Sequence, residues 1–269
     1  MDKRGRGRPH YSRPGGRRYI SAITIFRGHG TRRSSTYRTM VLAMATIEID
    51  LDQLGKELVN CSDGCADIVC NQRKGILPRC MILERPNAKG RGCLAVGLNP
   101  GPSKAFERTF YIKHGISYRT VKEYWHENNS KIPYYSKSRR IIDAIGLTGP
   151  IIWSDLAKCE NKLSLKNQPP RLQTLRHCYH RFLRHELELM RDKWPVLGFG
   201  WEAYRALAYL VPKRAVIGIP HPTGSHGHFT ALFEPNNGPM KGNIREMATK
   251  AILSPEPMAV WLSGKKRGD

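Results

Sequence analysis

The chain has 269 residues, a 40% hydrophobic and 25% charged composition, and a formal net charge of +23. Mean hydropathy is −0.49 and no run of about 18 apolar residues occurs, which excludes a membrane-spanning helix. The basic surplus points to a polyanionic partner, because each phosphate neutralised by Lys or Arg releases a condensed counterion; with no broad-faced basic amphipathic helix in sight, nucleic acid is expected rather than a membrane surface.

Residues 1–43 hold eleven Lys and Arg against one acid, Asp2. They are rich in Arg, Gly, Ser and Pro and cannot bury a core, so a disordered basic leader is expected, with residues 44–269 as the folded domain. Arg6-Gly7-Arg8-Pro9 matches the minor-groove core of an AT-hook. The plainer readings are a generic basic tail, a leader ahead of a start at Met40 or Met44, or an Arg-rich organelle transit peptide.

Next in chain order, Leu51, Leu54 and Leu58 recur on one face and predict a short helix over Asp50–Leu58. Cys61–Cys80 reads as an irregular cysteine-bearing loop. The apolar run Cys93–Leu98 predicts a buried strand, and Asn99-Pro100-Gly101-Pro102-Ser103 a turn after it. Helices are predicted at Thr120–Glu127 and Ser136–Ile145, and a second strand at Pro150–Ser154. A long helix is predicted at Leu172–Trp194, a third strand at Val196–Gly200 and a helix at Trp201–Leu210. A fourth strand, Ala215–Ile219, ends at Pro220-His221-Pro222, and a last helix covers Gly242–Leu253. This alternation predicts an α/β fold, a three-layer α/β/α sandwich with a mostly parallel central sheet of about four strands.

Seven cysteines are present and five fall within residues 61–93. With no secretory signal peptide at the start, a disulfide framework is not expected, and clustered cysteines in a cytosolic chain point to metal. Two strands end in unusual turns, Gly97-Leu98-Asn99-Pro100-Gly101 and His221-Pro222-Thr223-Gly224-Ser225. Alone, Asn99 is a turn amide and His221 a structural histidine. At one edge of one sheet, beyond the carboxyl ends of the strands, they suggest a site.

The two turns together resemble the first and second motifs of the uracil-DNA glycosylase superfamily. The Asn-Pro-Gly form is similar to that of its mismatch-specific and single-strand-selective branches, and the resemblance spans about residues 54–253. Asp155-Leu156-Ala157-Lys158-Cys159, followed by Cys178, is similar instead to the iron–sulfur branch. That resemblance implies a 4Fe-4S cluster on Cys61, Cys65, Cys159 and Cys178, with Cys70 an alternative to Cys65 because the branch usually has a closer first pair. A tetrahedral zinc on four thiolates, or buried free thiols, are the rival readings.

The resemblance implies a monofunctional DNA glycosylase that starts base-excision repair on uracil or another deaminated base, with DNA as partner, no membrane, and a monomer. Cytoplasmic or nucleoid-associated placement follows, nuclear or organellar in a eukaryote. His221 is expected to donate to the departing base and Asn99 to position a water. Gly97, Ser154, Asp155 and an aromatic at Phe110 or Tyr111 are expected around the base, and Pro222, Thr223, Gly224, Ser225 and His226 against the DNA. Asp155 departs from the branch, which usually has Asn there; an ionised Asp only accepts, which puts the preferred base in question. A hypoxanthine- or xanthine-preferring glycosylase and a non-catalytic DNA-binding protein are the alternatives. His226 and His228 could instead join His221 at a metal.

Overall fold

The computed structural model describes residues 33–264, except 167 and 192, with side chains from residue 44 onward. The Arg6–Pro9 motif lies outside the described residues. The first helix, α1 (Arg33–Val59), begins well before Asp50, so residues 33–43 of the expected leader are helical. It buries Met44, Ile47, Leu51 and Leu58, a spacing of three, four and seven that makes one apolar stripe.

After α1 come β1 (Ile68–Val69), β2 (Ile82–Glu84) and β3 (Cys93–Gly97), then α2 (Ala105–His114), α3 (Tyr118–Asn128) and α4 (Pro133–Ala144). Ser117 caps α3 by accepting from the Thr120 N–H at 3.2 Å, and Pro133 opens α4, where its fixed φ and missing N–H cost nothing. β4 (Ile151–Asp155), β5 (Glu160–Asn161) and α5 (Leu172–Cys178) follow. The helix expected to run to Trp194 is instead broken. A π-helical turn at Tyr179–Leu183 separates α5 from α6 (Arg184–Leu189), and Met190 turns extended at φ −72°, ψ 144°. Pro195 explains why Trp194 stays outside, since a residue before proline is pushed from the helical region. The chain ends with β6 (Val196–Phe199), α7 (Trp201–Leu210), β7 (Val216–Ile219), α8 (Gly242–Leu253) and β8 (Ala259–Trp261).

The central sheet has six strands in the order β2-β4-β3-β6-β7-β8. The four expected strands form its contiguous middle. Two three-residue edges complete it: β2 antiparallel to β4, and β8 parallel to β7. Alternation sends Leu94, Val96, Ile152, Val196 and Val216 to one face, against α1, α6 and α7. Ala95, Ile151, Trp153, Leu197 and Ile217 go to the other, against α3, α4 and α8. Burying each large apolar side chain stabilises the fold by about 1.5–3 kcal/mol relative to exposure. The result is a three-layer α/β/α sandwich. From β3 the chain moves first to β4 on one side and later to β6 on the other, so a crevice opens at the carboxyl ends of these strands.

Beside the sheet, β1 and β5 pair antiparallel, Ile68 with Asn161 and Val69 with Glu160. This ribbon brings the first cysteine segment against the second. Asp67 fastens it: its carboxylate accepts from the Thr174 hydroxyl at 2.5 Å and from the Arg171 N–H, capping α5 from a distant part of the chain.

Candidate active site

A cavity of about 60 Å³ lies at the carboxyl end of β4. Its walls are aromatic, from Tyr111, Tyr124, Trp125, Tyr134, Tyr135 and Trp153, and its polar groups come from Arg79, Cys80, Glu107, Ser154 and Asp155. Asp155 faces Gly97 across the β3–β4 ladder. A Cβ on Gly97 would sit 2.3 Å from the Asp155 Oδ1 and 3.1 Å from the Tyr134 hydroxyl, so the glycine makes room for the carboxyl group. Enclosure by protein raises the Asp155 pKa from 3.8 to about 8, against the opposing pull of Lys158 and Arg79. A pKa near 8 favours the carboxylic acid at neutral pH over the ionised form expected from the sequence, and the acid has one donor and one acceptor, the same pair an amide presents.

Ser154 is buried in the cavity wall, where its Oγ accepts from Lys158 Nζ at 2.6 Å. Lys158 is also paired with Glu186, and neither side chain has exposed surface. Tyr111 lines the cavity and donates to Glu107 at 2.7 Å. Phe110 does not line it; its ring stacks on His114 at 4.3 Å. Of the two aromatics expected beneath a base, Tyr111 lines the cavity and Phe110 does not.

His221 follows β7 and packs beside Tyr134, with ring centroids 5.4 Å apart. Tyr134 thus reaches both Gly97 and His221. Burial lowers the His221 pKa, so the ring is neutral at pH 7. Its Nδ1 accepts from the Thr223 N–H at 3.3 Å, which assigns the proton to Nε2 and leaves that nitrogen a donor. Asn99 sits half-buried on the turn after β3 and donates only locally, to the Pro100 carbonyl at 3.3 Å. Backbone bonds from Leu156 and Ala157 to the carbonyls of Gly97 and Leu98 continue past the ladder and fix where the turn departs.

Pro222 is buried, while Thr223, Gly224 and His226 are exposed. Ser225 Oγ accepts from the Phe229 N–H at 2.9 Å, and Phe229 anchors the loop in the core. His226 holds a left-handed φ of 46°. Among the described residues, His221, His226 and His228 do not come together as a metal-ion group.

A second cavity, of about 320 Å³, is lined by Cys61, Cys65, Cys70, Cys159 and Cys178. Cys70 lies against Cys159, and Cys65 lies by Thr174. Burial pushes Cys61 up to about 11 and raises Cys65 and Cys178. Cys80 and Cys93 are core residues elsewhere. Among the described residues, one group has three ligand atoms within 4.8 Å of one another: Cys61, Asp63 and His177. Tetrahedral zinc at about 2.3 Å from each sulfur would draw four thiolates to roughly 3.8 Å of one another. Among the described residues no three cysteine sulfurs lie within 4.8 Å of one another, while Cys70 and Cys159 are direct neighbours.

Sequence reasoning missed Arg79, Tyr124, Trp125, Tyr134, Tyr135 and Trp153. Only Trp153 had a usable signal: two residues before Asp155 on one strand, it must share Asp155's face. No family model matches the chain, and no curated protein matches it.

Proposed function

We propose that the chain is a monofunctional DNA glycosylase that hydrolyses the N-glycosidic bond of uracil or another deaminated base. One observation carries the reading: an aromatic-walled cavity that encloses the Asp155 carboxyl group stands at the sheet edge that also holds His221, whose Nδ1 accepts from the Thr223 N–H. A base inside a duplex cannot be reached, so the nucleotide rotates out into the cavity. Tyr111 and its aromatic neighbours take the flat faces of the ring. Asp155 offers a donor and an acceptor to its edge. As the C1′–N bond breaks, the electron pair moves onto the base and His221 Nε2–H donates to the oxygen where charge gathers. Asn99 holds the water whose oxygen bonds to C1′ and whose proton leaves to solvent.

The +23 charge supports DNA as the partner.

The donor set of the thiol-lined cavity fits a 4Fe-4S cluster, because five cysteines from two distant segments line one space. Cys61, Cys65, Cys159 and Cys178 would hold it, with Cys70 within reach. When bound, the cluster supplies a cross-link between the segments. The chemistry stays with Asn99, Asp155 and His221.

The deciding experiment is a strand-nicking assay on duplexes that each carry one uracil, hypoxanthine or xanthine. Abasic product from the uracil duplex is expected. Salt-sensitive binding with no abasic product on any lesion would replace the reading with a non-catalytic DNA-binding protein. Anaerobically purified protein should be brown, with iron and sulfide in about 4:4 ratio; colourless folded protein would remove the cluster.

A further inference from the structure

The turn that carries Asn99 belongs to no helix or strand between Pro100 and Lys104. Its backbone polar groups are taken by charged side chains from elsewhere. The Gly101 carbonyl accepts from Arg79. The Ser103 N–H donates to Glu160 Oε2, and the Ser103 hydroxyl donates to Oε1 at 3.2 Å. The Ser103 carbonyl accepts from Arg108 at 2.5 Å.

These charges form one network. Arg79 bonds Glu160 at 3.2 Å and both oxygens of Glu107 at 2.9 and 3.0 Å. One guanidinium, Arg79, pairs with two carboxylates, and both carboxylates are almost wholly buried. A buried carboxylate is tolerated only with such partners, so the arrangement is well determined. Three roots hold it. Glu107 carries the Tyr111 hydroxyl at the base cavity. Glu160 follows Cys159 and pairs with Val69, next to Cys70. The Arg79 N–H donates to the Lys158 carbonyl at 3.1 Å.

We propose that Arg79 and Glu160 are positioning residues that clamp the Asn99 turn and tie its placement to the cysteine lobe. The clamp itself is a property of the fold; its consequence for the rate rests on the glycosylase reading. An apolar contact would allow the turn to slide, whereas Arg79's planar fork fixes Gly101, Glu107 and Glu160 at once.

The test compares full-length wild type with Glu160→Gln and Arg79→Lys. Glu160→Gln puts a donor where Ser103 and Arg79 also donate. Arg79→Lys keeps the charge and loses the fork. Amide exchange of the peptide covering 99–103 should quicken by about 10-fold or more in both variants, while the peptides of β6 and β7 keep their protection. In Glu160→Gln, single-turnover excision should fall about 10- to 100-fold, through a misplaced water. Its affinity for duplex with a non-cleavable uracil analogue should stay within about 2-fold, since Glu160 does not line the base cavity, whereas Arg79 does and its variant is read by exchange alone. Ser103→Ala removes one arm and should quicken exchange less. Unchanged exchange over 99–103 in a folded variant overturns the clamp, as does a uniform rise across the whole chain. Should Glu160→Gln not fold, Arg79→Lys and Ser103→Ala carry the same comparison. If wild type excises no base, the glycosylase reading fails, and the exchange data still decide the clamp.

Discussion

The base cavity and the cysteine lobe are neighbours built in opposite ways. The cavity sits where β4 ends, with Trp153, Ser154 and Asp155 in its wall, while Asn99 and His221 stand within two residues of the ends of β3 and β7. The sheet supplies its rigidity. The lobe has only a two-residue ribbon, and it closes by joining segments near residues 61–70 and 159–178. Side chains supply its rigidity, through Asp67 and the Arg79–Glu160 network. A strand end can present a catalytic group unaided; a lobe of this kind needs a cross-link, and the Asn99 turn borrows from both.

The strongest way to break this contrast is at the wall the two regions share. Lys158 donates to Ser154 on the cavity side and precedes Cys159 on the lobe side. Lys158→Met leaves Glu186 buried without its cation and should cost about 3–5 kcal/mol in urea unfolding. Adding Glu186→Leu should recover most of that loss. If Lys158→Met alone is neutral, the pair is not the common wall.

Next in size is the chemistry at the strand ends. His221→Ala should slow single-turnover excision by about 10²–10³-fold, because a preorganised donor is lost where charge develops. Asn99→Ala should slow it by about 10²-fold through a misplaced water. Neither change should lower the melting temperature appreciably, since both residues lie on loops beyond the sheet. A His221→Ala enzyme of normal rate would move the donor elsewhere.

Asp155 sharpens the contrast through pH. Its folded pKa of about 8 is raised, so the donor is present below that pH and lost above it. Uracil excision should decline on the alkaline side, as the carboxylate comes to repel a base carbonyl. Asp155→Asn should abolish that limb and change the neutral-pH rate by less than about 10-fold, since acid and amide offer the same pair. The native state also keeps a proton that the unfolded chain releases. Stability from this group is therefore full below pH 3.8 and drains away as pH rises to about 8. An alkaline limb that survives in Asp155→Asn would show that another group titrates.

The smallest effect is expected from the basic segment ahead of α1. Because α1 starts at Arg33, the informative truncation removes residues 1–32. DNA association should weaken and its salt dependence flatten. Single-turnover excision at saturating enzyme should hold within about 2-fold, the lost contacts being to phosphate alone. A collapse of that rate would bring the segment into the site.

The four central strands were legible because both their faces are buried and their apolar runs are nearly continuous. β2 and β8 were not, being three-residue edges with too little pattern to separate from loop. α2 was hidden by an inverted pattern: it buries Glu107 and Tyr111 and exposes Phe106 and Ile112, so polarity misreports its inner face. At the site, Asn99, Asp155 and His221 could be read from two turns and a strand end. Arg79 could not, for its partners Glu107 and Glu160 lie 28 and 81 residues away. The protonation of Asp155 was also invisible, because enclosure by Tyr134, Tyr135 and Trp153 exists only after folding.

The spacing of the lobe's cysteines sets a schedule for how the protein matures. Cys70 and Cys159 are 89 residues apart. At a synthesis rate of roughly 5–20 residues per second, Cys61, Cys65 and Cys70 emerge roughly 4 to 20 seconds before Cys159. Through that interval they are ordinary, solvent-reachable thiols, without the enclosure that raises Cys61 and Cys65 in the finished fold. The lobe is therefore completed late, after β3 and β4 have been made. An oxidant acting during translation meets three thiols whose partners have yet to be synthesised.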